Sequence, residues 1–325
     1  MKGSAVTENP LIQQAADALR ALALNEGAKE RFCKDPLLQP FMHRVSRRYV
    51  AGYTVDDALR RVAEMTARGH KASAEYMGES CHDETFANAE TEVFMQLVRG
   101  LADKGYDCSV SFDLSHIGAV VDPELGYRNA RRIATAAAEA GREIMISMEN
   151  HERTDLIYGL YRRLHEEAGL HNVGITIPAR RHRSVQDLPM LLQLPGRIRL
   201  VKGAFHEDEK VSWPRTSPGL ANAYREHAAT LLRSGHLCSI ATHDRSIQRD
   251  LAALIHSEGI APGRYEFESL DGLGTQQIDE LHAQGFATRE YTVFGAEHFL
   301  YVLNRIAEEP VRVYQALLDA LDSKP

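Results

Sequence analysis

Eight short runs rich in apolar and β-branched residues, each followed by a polar turn and an amphipathic helical stretch, constrain this chain more than any other feature. They fall at 71–77, 107–112, 143–148, 173–177, 198–201, 237–241, 265–270 and 288–293. Strands that alternate with helices pair in parallel, because each helix carries the chain back across the sheet. Eight such units predict an α/β fold of the closed (β/α)8, TIM-like barrel type. The repeat spacing is uneven, from about 23 to 40 residues, so the repeat is structural and not sequential. An open doubly wound sheet is disfavoured, since no GxGxxG follows an early strand. The nearest approach, Gly272-Leu273-Gly274-Thr275-Gln276-Gln277, comes late and lacks the third glycine.

The helical stretches carry their own end signals. Asp122-Pro123 and Ser217-Pro218 put a capping side chain before a proline at the first helical position. Gly141, Gly169, Gly235, Gly259 and Gly285 stand where helices should stop. The first seventy residues show no strand pattern. Helices are predicted over 11–24 with Gly27 as the stop, over 36–50, and over 55–67 between the N-cap Thr54 and Gly69. The chain thus divides into an N-terminal helical segment, 1–69, and a barrel over 70–325.

Composition excludes several function classes. An apolar fraction of 44% and a charged fraction of 26% suit a soluble globular core and rule out wholesale disorder. A net charge of −7 argues against nucleic acid as partner, because phosphate binding needs a basic surface. No apolar run approaches the ~20 residues of a membrane span, and the N-terminus lacks a signal-peptide pattern. Cys33, Cys81, Cys108 and Cys238 form no CxxC pair and read as reduced thiols. The expected location is cytoplasmic.

In a parallel barrel the reactive face lies at the C-terminal strand ends. The residues there are Glu79, Asp113, Ser115, His116, Glu149, Asn150, His151, Arg180, Arg181, His182, Lys202, His206, Thr242, His243, Asp244, Glu268, Asp271 and Tyr291. The basic members suit a bound phosphate or carboxylate. Only 8 of the 38 basic residues are lysines, which singles out Lys202 at the end of the apolar run Arg199-Leu200-Val201. Lys202 could form a Schiff base, bind phosphate or pair with a carboxylate. Gly203-Ala204 leaves room for a close backbone approach. His243 could join His116 and His151 on a metal or serve as a hydrogen-bonded structural histidine. Asp244 reads best as a helix N-cap. No HxH or HExxH motif occurs, and no metal site is predicted. On the last helical stretch Tyr301, Asn304, Arg305 and Glu308 share one face, which by itself suits solvent as well as a ligand.

Five stretches, in order, resemble the proline dehydrogenase family of flavoenzymes. Arg47-Arg48-Tyr49-Val50-Ala51-Gly52 with Asp57-Ala58-Leu59 is similar to the family's leading helix, and Glu75-Tyr76-Met77-Gly78-Glu79 to its first strand. Arg199 through Phe205 resembles its VRLVKGAY strand, and Ala241-Thr242-His243-Asp244 its ATHD/ATHN strand end. Tyr301 through Pro310, preceded by Tyr291 and Gly295, resembles its YxxRRxxEN helix. The resemblance implies a distorted barrel with FAD in its mouth. It implies flavin contacts from Met148, Pro178, Arg199, Lys202, Gly203, Ala204, Thr242 and His243, with Arg199 at the reactive edge as the catalytic residue. It implies a substrate pocket built from Ser111, Ser147, Tyr291, Tyr301, Asn304 and Arg305.

The departures from the family pattern lie on the substrate side. The family's second-strand lysine aligns with Ser111, its third-strand aspartate with Ser147, its fourth-strand glutamine with Pro178, and its paired arginines with Asn304-Arg305. Replacing one arm of an arginine fork by an amide removes a charged hydrogen bond worth on the order of 1.5–3 kcal/mol. The expected activity is therefore FAD-dependent oxidation of a C–N bond in an amino or imino acid other than simple L-proline. L-proline dehydrogenation, an aldolase or lyase with Lys202 as Schiff-base lysine, and a flavin binder without activity are the alternatives. The electron acceptor stays open among quinone, oxygen and a soluble carrier, and with quinone a peripheral contact with a membrane surface stays open too.

Overall fold

A computed structural model describes residues 10–78, 81–205, 207–309 and 311–321. Its strands are β1 Lys71–Tyr76, β2 Cys108–Phe112, β3 Ile144–Ile146, β4 Val173–Pro178, β5 Ile198–Val201, β6 Cys238–Ala241, β7 Tyr265–Leu270 and β8 Thr288–Phe294. They pair in parallel in chain order, and β8 closes on β1 through the register Ser73 to Tyr291. The eight predicted strands are all present; β3 is shorter than expected, three residues, with Ser147 and Met148 already in the turn that follows.

The helices are α1 Pro10–Ala23, α2 Glu26–Lys34, α3 Gln39–Ser46, α4 Val55–Ala67, α5 Glu84–Lys104, α6 Pro123–Glu139, α7 Thr154–Glu166, α8 Ser184–Leu191, α9 Pro218–Ser234, α10 Arg245–Glu258, α11 Thr275–Ala283, α12 Phe299–Ala307 and α13 Arg312–Leu321. Thr54 and Asp57 form a reciprocal capping box at the start of α4. Asp122 and Ser217 cap α6 and α9 ahead of their prolines. The helix predicted over 36–50 is present in shortened form as α3, Gln39–Ser46. A helix not predicted, α2, precedes it: the Asn25 side chain accepts from the Ala28 amide and starts α2, so that Gly27 lies inside a helix and not after one.

The outward faces of the strands are apolar. Val110, Ile144, Ile175, Leu200, Ile240 and Phe267 are fully buried against the surrounding helices in one core, each contributing roughly 1.5–3 kcal/mol. The inward faces are polar. Arg199, Glu266, Glu268 and Arg289 project inside together with Ser73, Ser109, Ser111 and Ser239. Ion pairs thus fill the space that branched aliphatic layers occupy in most such barrels.

The barrel is distorted at its last unit. The helix after β8 does not close the wall; α4 packs against both β1 and β8 in its place. Helix α12 instead packs along α1, and its apolar residues Val302, Leu303 and Ile306 join Ala23, Met42, Val45 and Tyr49 in a second core. That arrangement turns the polar face of α12 toward the strand ends.

Candidate active site

One corner of the mouth is basic. Lys202 follows β5 and reaches Asp244 after β6, Nζ to Oδ2 at 2.7 Å. Asp244 also accepts the Ser246 and Ile247 amides and so caps α10. Burial pushes this carboxyl up, but Lys202 more than offsets the effect and holds it below its ordinary value. Gly203 has φ +108°, and a Cβ there would lie 2.8 Å from the Arg180 methylenes and 3.2 Å from Pro178. Arg180 donates to the Phe205 and Trp213 carbonyls and keeps its buried Nε without a partner. Ala204 is exposed, Thr242 is buried, and burial lowers the pKa of the His243 imidazole between them and α12. Met148 lies in the main core.

Arg199 occupies the centre of the barrel. Its Nη2 donates to Ser73 and Ser111 at 2.9 and 2.8 Å, its Nε pairs with Glu268 at 3.0 Å, and its guanidinium lies 5.0 Å from the Tyr291 ring centroid. Ser111 is fully buried and directs its hydroxyl to Arg199 and Ser73. Above this layer Ser147 and Tyr291 both donate to Oε2 of Glu75, at 2.8 and 2.7 Å. Burial and the Glu75 charge push the Tyr291 phenol far up, so it remains a donor.

Helix α12 supplies the opposite wall. Arg305 is 9% exposed, lies 5.2 Å from the Tyr301 ring centroid and pairs with Glu308 at 2.8 Å. Its buried Nε has no partner. Arg215, from the loop before α9, also pairs with Glu308 at 2.8 Å. Asn304 sits half-buried beside Arg305.

Of the residues named from the sequence, the structure brings together Arg199, Ser111, Ser147 and Tyr291 inside the barrel, Lys202 with Asp244 at one rim, and Tyr301 with Arg305 at the other. Glu79, His206 and Pro310 lie outside the described residues. Two residues with clear contacts were not singled out by sequence. Glu75 is a charge that follows the small residues Ala72, Ser73 and Ala74 in β1, which is a readable signal. Arg215 lies in a loop and carries none.

A parallel barrel with arginines supplied to its mouth from β5 and from a displaced last helix is the frame of an α/β-barrel enzyme suited to anionic ligands. The sequence model of the family described as proline dehydrogenase matches residues 58–310, and the chain belongs to that family. It is 30% identical over 284 residues to the proline dehydrogenase of Deinococcus radiodurans, covering 86% of this chain and 91% of that protein. It is 29% identical over 265 residues to proline dehydrogenase 1 of Bacillus subtilis subsp. natto, covering 82% and 87%. The fold is also similar to that of proline utilization A (PutA) from Bdellovibrio bacteriovorus inactivated by N-propargylglycine, with a TM-score of 0.77 at 16% identity. The chain spans only 43% of that longer protein, and 97% of its own length is covered.

As a member of this family the chain is a FAD-dependent oxidoreductase acting on CH–NH groups. Its residues fit the cofactor. The glycine turn after β5 is closely packed by Arg180, Lys202 offers positive charge, and the buried Thr176 hydroxyl and Arg180 Nε have no protein partner. The family assignment removes the aldolase alternative, and the ion pair with Asp244 engages the amine that a Schiff base would need free. Among the described residues no helix is long and apolar enough to cross a membrane.

Proposed function

We propose that the protein oxidises the C–N bond of an amino or imino acid to an imine, and that its preferred substrate is not unsubstituted L-proline. The observation that carries this reading is Arg305, a buried guanidinium with an unpartnered Nε, beside an amide and not a second arginine. It can hold one carboxylate, with Asn304 assisting. FAD, when bound, accepts the hydride from the carbon next to nitrogen. Lys202, Gly203 and Ala204 would hold its phosphate portion and Thr242 and His243 its nucleotide half, and Met148 and Pro178 would border the ring. Arg199 would place positive charge at the reactive edge of the bound cofactor, where it would favour negative charge developing there. Ser111 fixes Arg199, while Ser147, Tyr291 and Tyr301 shape the pocket.

A second reading, L-proline itself, is favoured by the relatives, which are named proline dehydrogenases at about this identity over most of the chain. The visible spectrum of the purified protein, before and after anaerobic addition of L-proline and of N-alkyl and ring-substituted amino acids, separates the two. The leading reading expects flavin bands that an analogue bleaches at least ten times faster than L-proline. Faster bleaching by L-proline supports the second reading, and a protein that takes up no FAD overturns both.

A further inference from the structure

Three strand-end loops of the mouth meet on one buried side chain. Arg181, three residues after β4, is 3% exposed, and its partner Glu207, from the segment after β5, is 7% exposed. Arg181 donates to the Glu207 carboxylate from Nε at 3.0 Å and from Nη2 at 2.6 Å. Nη2 also donates to the Glu149 carbonyl, and Nη1 donates to the Thr154 hydroxyl at 2.8 Å. Thr154 in turn donates to the His151 carbonyl at 2.8 Å. Glu149, His151 and Thr154 all belong to the stretch that carries the chain from β3 into α7. The guanidinium therefore ties together the loops after β3, β4 and β5.

The segment after β5 lies along the loop after β4. The Arg180 amide donates to the Lys202 carbonyl at 3.1 Å, the Trp213 amide to the Arg180 carbonyl at 2.7 Å, and the His182 amide to the Val211 carbonyl at 3.0 Å. That segment begins with Lys202, Gly203 and Ala204, and Glu207 comes four residues after Gly203. On the other side, Met148 directly precedes Glu149. A buried ion pair adds little stability over apolar residues packed in the same volume. What a guanidinium adds is direction, since its planar fork serves several acceptors at fixed angles.

We propose that Arg181 is a positioning residue for the cofactor. Through Glu207 it holds the Lys202–Ala204 turn, and through the Glu149 carbonyl it holds the backbone next to Met148, so that the two ends of the cofactor site keep one fixed relation. The role rests on the cofactor placement proposed above. Arg181 acts only through these neighbours. A lysine in its place keeps a charge for Glu207 but, as a single ammonium, does not span Glu149 and Thr154 as well.

The test is release of FAD from the holoenzyme on dilution, followed by flavin fluorescence, together with the visible spectrum of the flavin that stays bound. Arg181→Lys and Glu207→Gln are each expected to raise the FAD dissociation constant at least tenfold and to shift the bound flavin bands. Both substitutions preserve much of the side-chain volume, and either one alone carries the test if the other fails to fold. Glu266→Gln is the control, because it breaks a buried ion pair of the same kind between β7 and β8. It should lower the melting temperature yet leave the constant within threefold of wild type. A rise below tenfold in a folded loop variant overturns the proposal. So does a rise beyond threefold for Glu266→Gln, which would assign flavin loss to stability alone. Wild-type protein that binds no FAD overturns the cofactor placement itself, whereas wild-type binding that the loop variants do not weaken overturns only the role of Arg181.

Discussion

Glu266 offers the sharpest test of how the barrel interior is held together. Its carboxylate is 1% exposed. It accepts Arg289 Nε at 2.6 Å and the Ser239 hydroxyl at 2.6 Å, with Arg197 at 3.5 Å. Burial raises its pKa, but the two guanidiniums outweigh burial and hold it at about 2. Against an ordinary glutamate near ~4.3, that depression is worth about 3 kcal/mol of stability at neutral pH. Glu266→Gln keeps the shape and the Ser239 contact but removes the charge. Arg289 is then left with Glu143 at 3.9 Å, and breaking a buried pair in this way costs ~3–5 kcal/mol. Urea unfolding at pH 7, followed by far-UV circular dichroism, should show a loss in that range. Because the folded pKa lies below the unfolded one, the wild-type advantage is complete above the unfolded value and disappears as pH falls through about 2. The gap between the two proteins should therefore narrow from pH 5 downward. A loss under ~1 kcal/mol, the size of an ordinary substitution, or a gap that does not change with pH, would refute the reasoning.

Other perturbations separate cofactor from substrate. Arg305→Met should raise KM for a carboxylate-bearing substrate by roughly 10- to 150-fold, the equivalent of one lost charged hydrogen bond, with the flavin spectrum unchanged; an unchanged KM removes Arg305 from the pocket. Lys202→Met should weaken FAD retention by about tenfold, as one lost charged contact implies, measured as flavin released on dilution, and the Asp244 cap should keep α10 folded. Gly203→Ala forces a side chain into a φ of +108° and against Arg180. It should cost ~1–3 kcal/mol in thermal unfolding and release flavin together with the stability loss.

What the sequence made legible was periodic. Strand order, the Thr54 cap, the glycine stops from Gly69 onward and the Asp244 cap all rest on local rules, and each is found in place. What it did not make legible was long-range. Arg199 meets Ser73 and Ser111, which lie 126 and 88 residues away, and no local pattern reports such a meeting. Asn25 was overlooked as a cap because Gly27 gave a competing stop signal two residues later.

The displaced last helix explains why the N-terminal helices belong to the chemistry. A helix in the barrel wall presents its apolar stripe to the strands and its polar face to solvent. With α4 filling the slot between β8 and β1, α12 needs another surface for Val302, Leu303 and Ile306, and α1 and α3 provide it. The polar face of α12 is then aimed back at the strand ends, where Glu308 bridges Arg305 to Arg215 from the far side of the mouth. The position of the Arg305 guanidinium is thus set by packing against α1 and α3, with Val293 of β8 as the contact to the barrel.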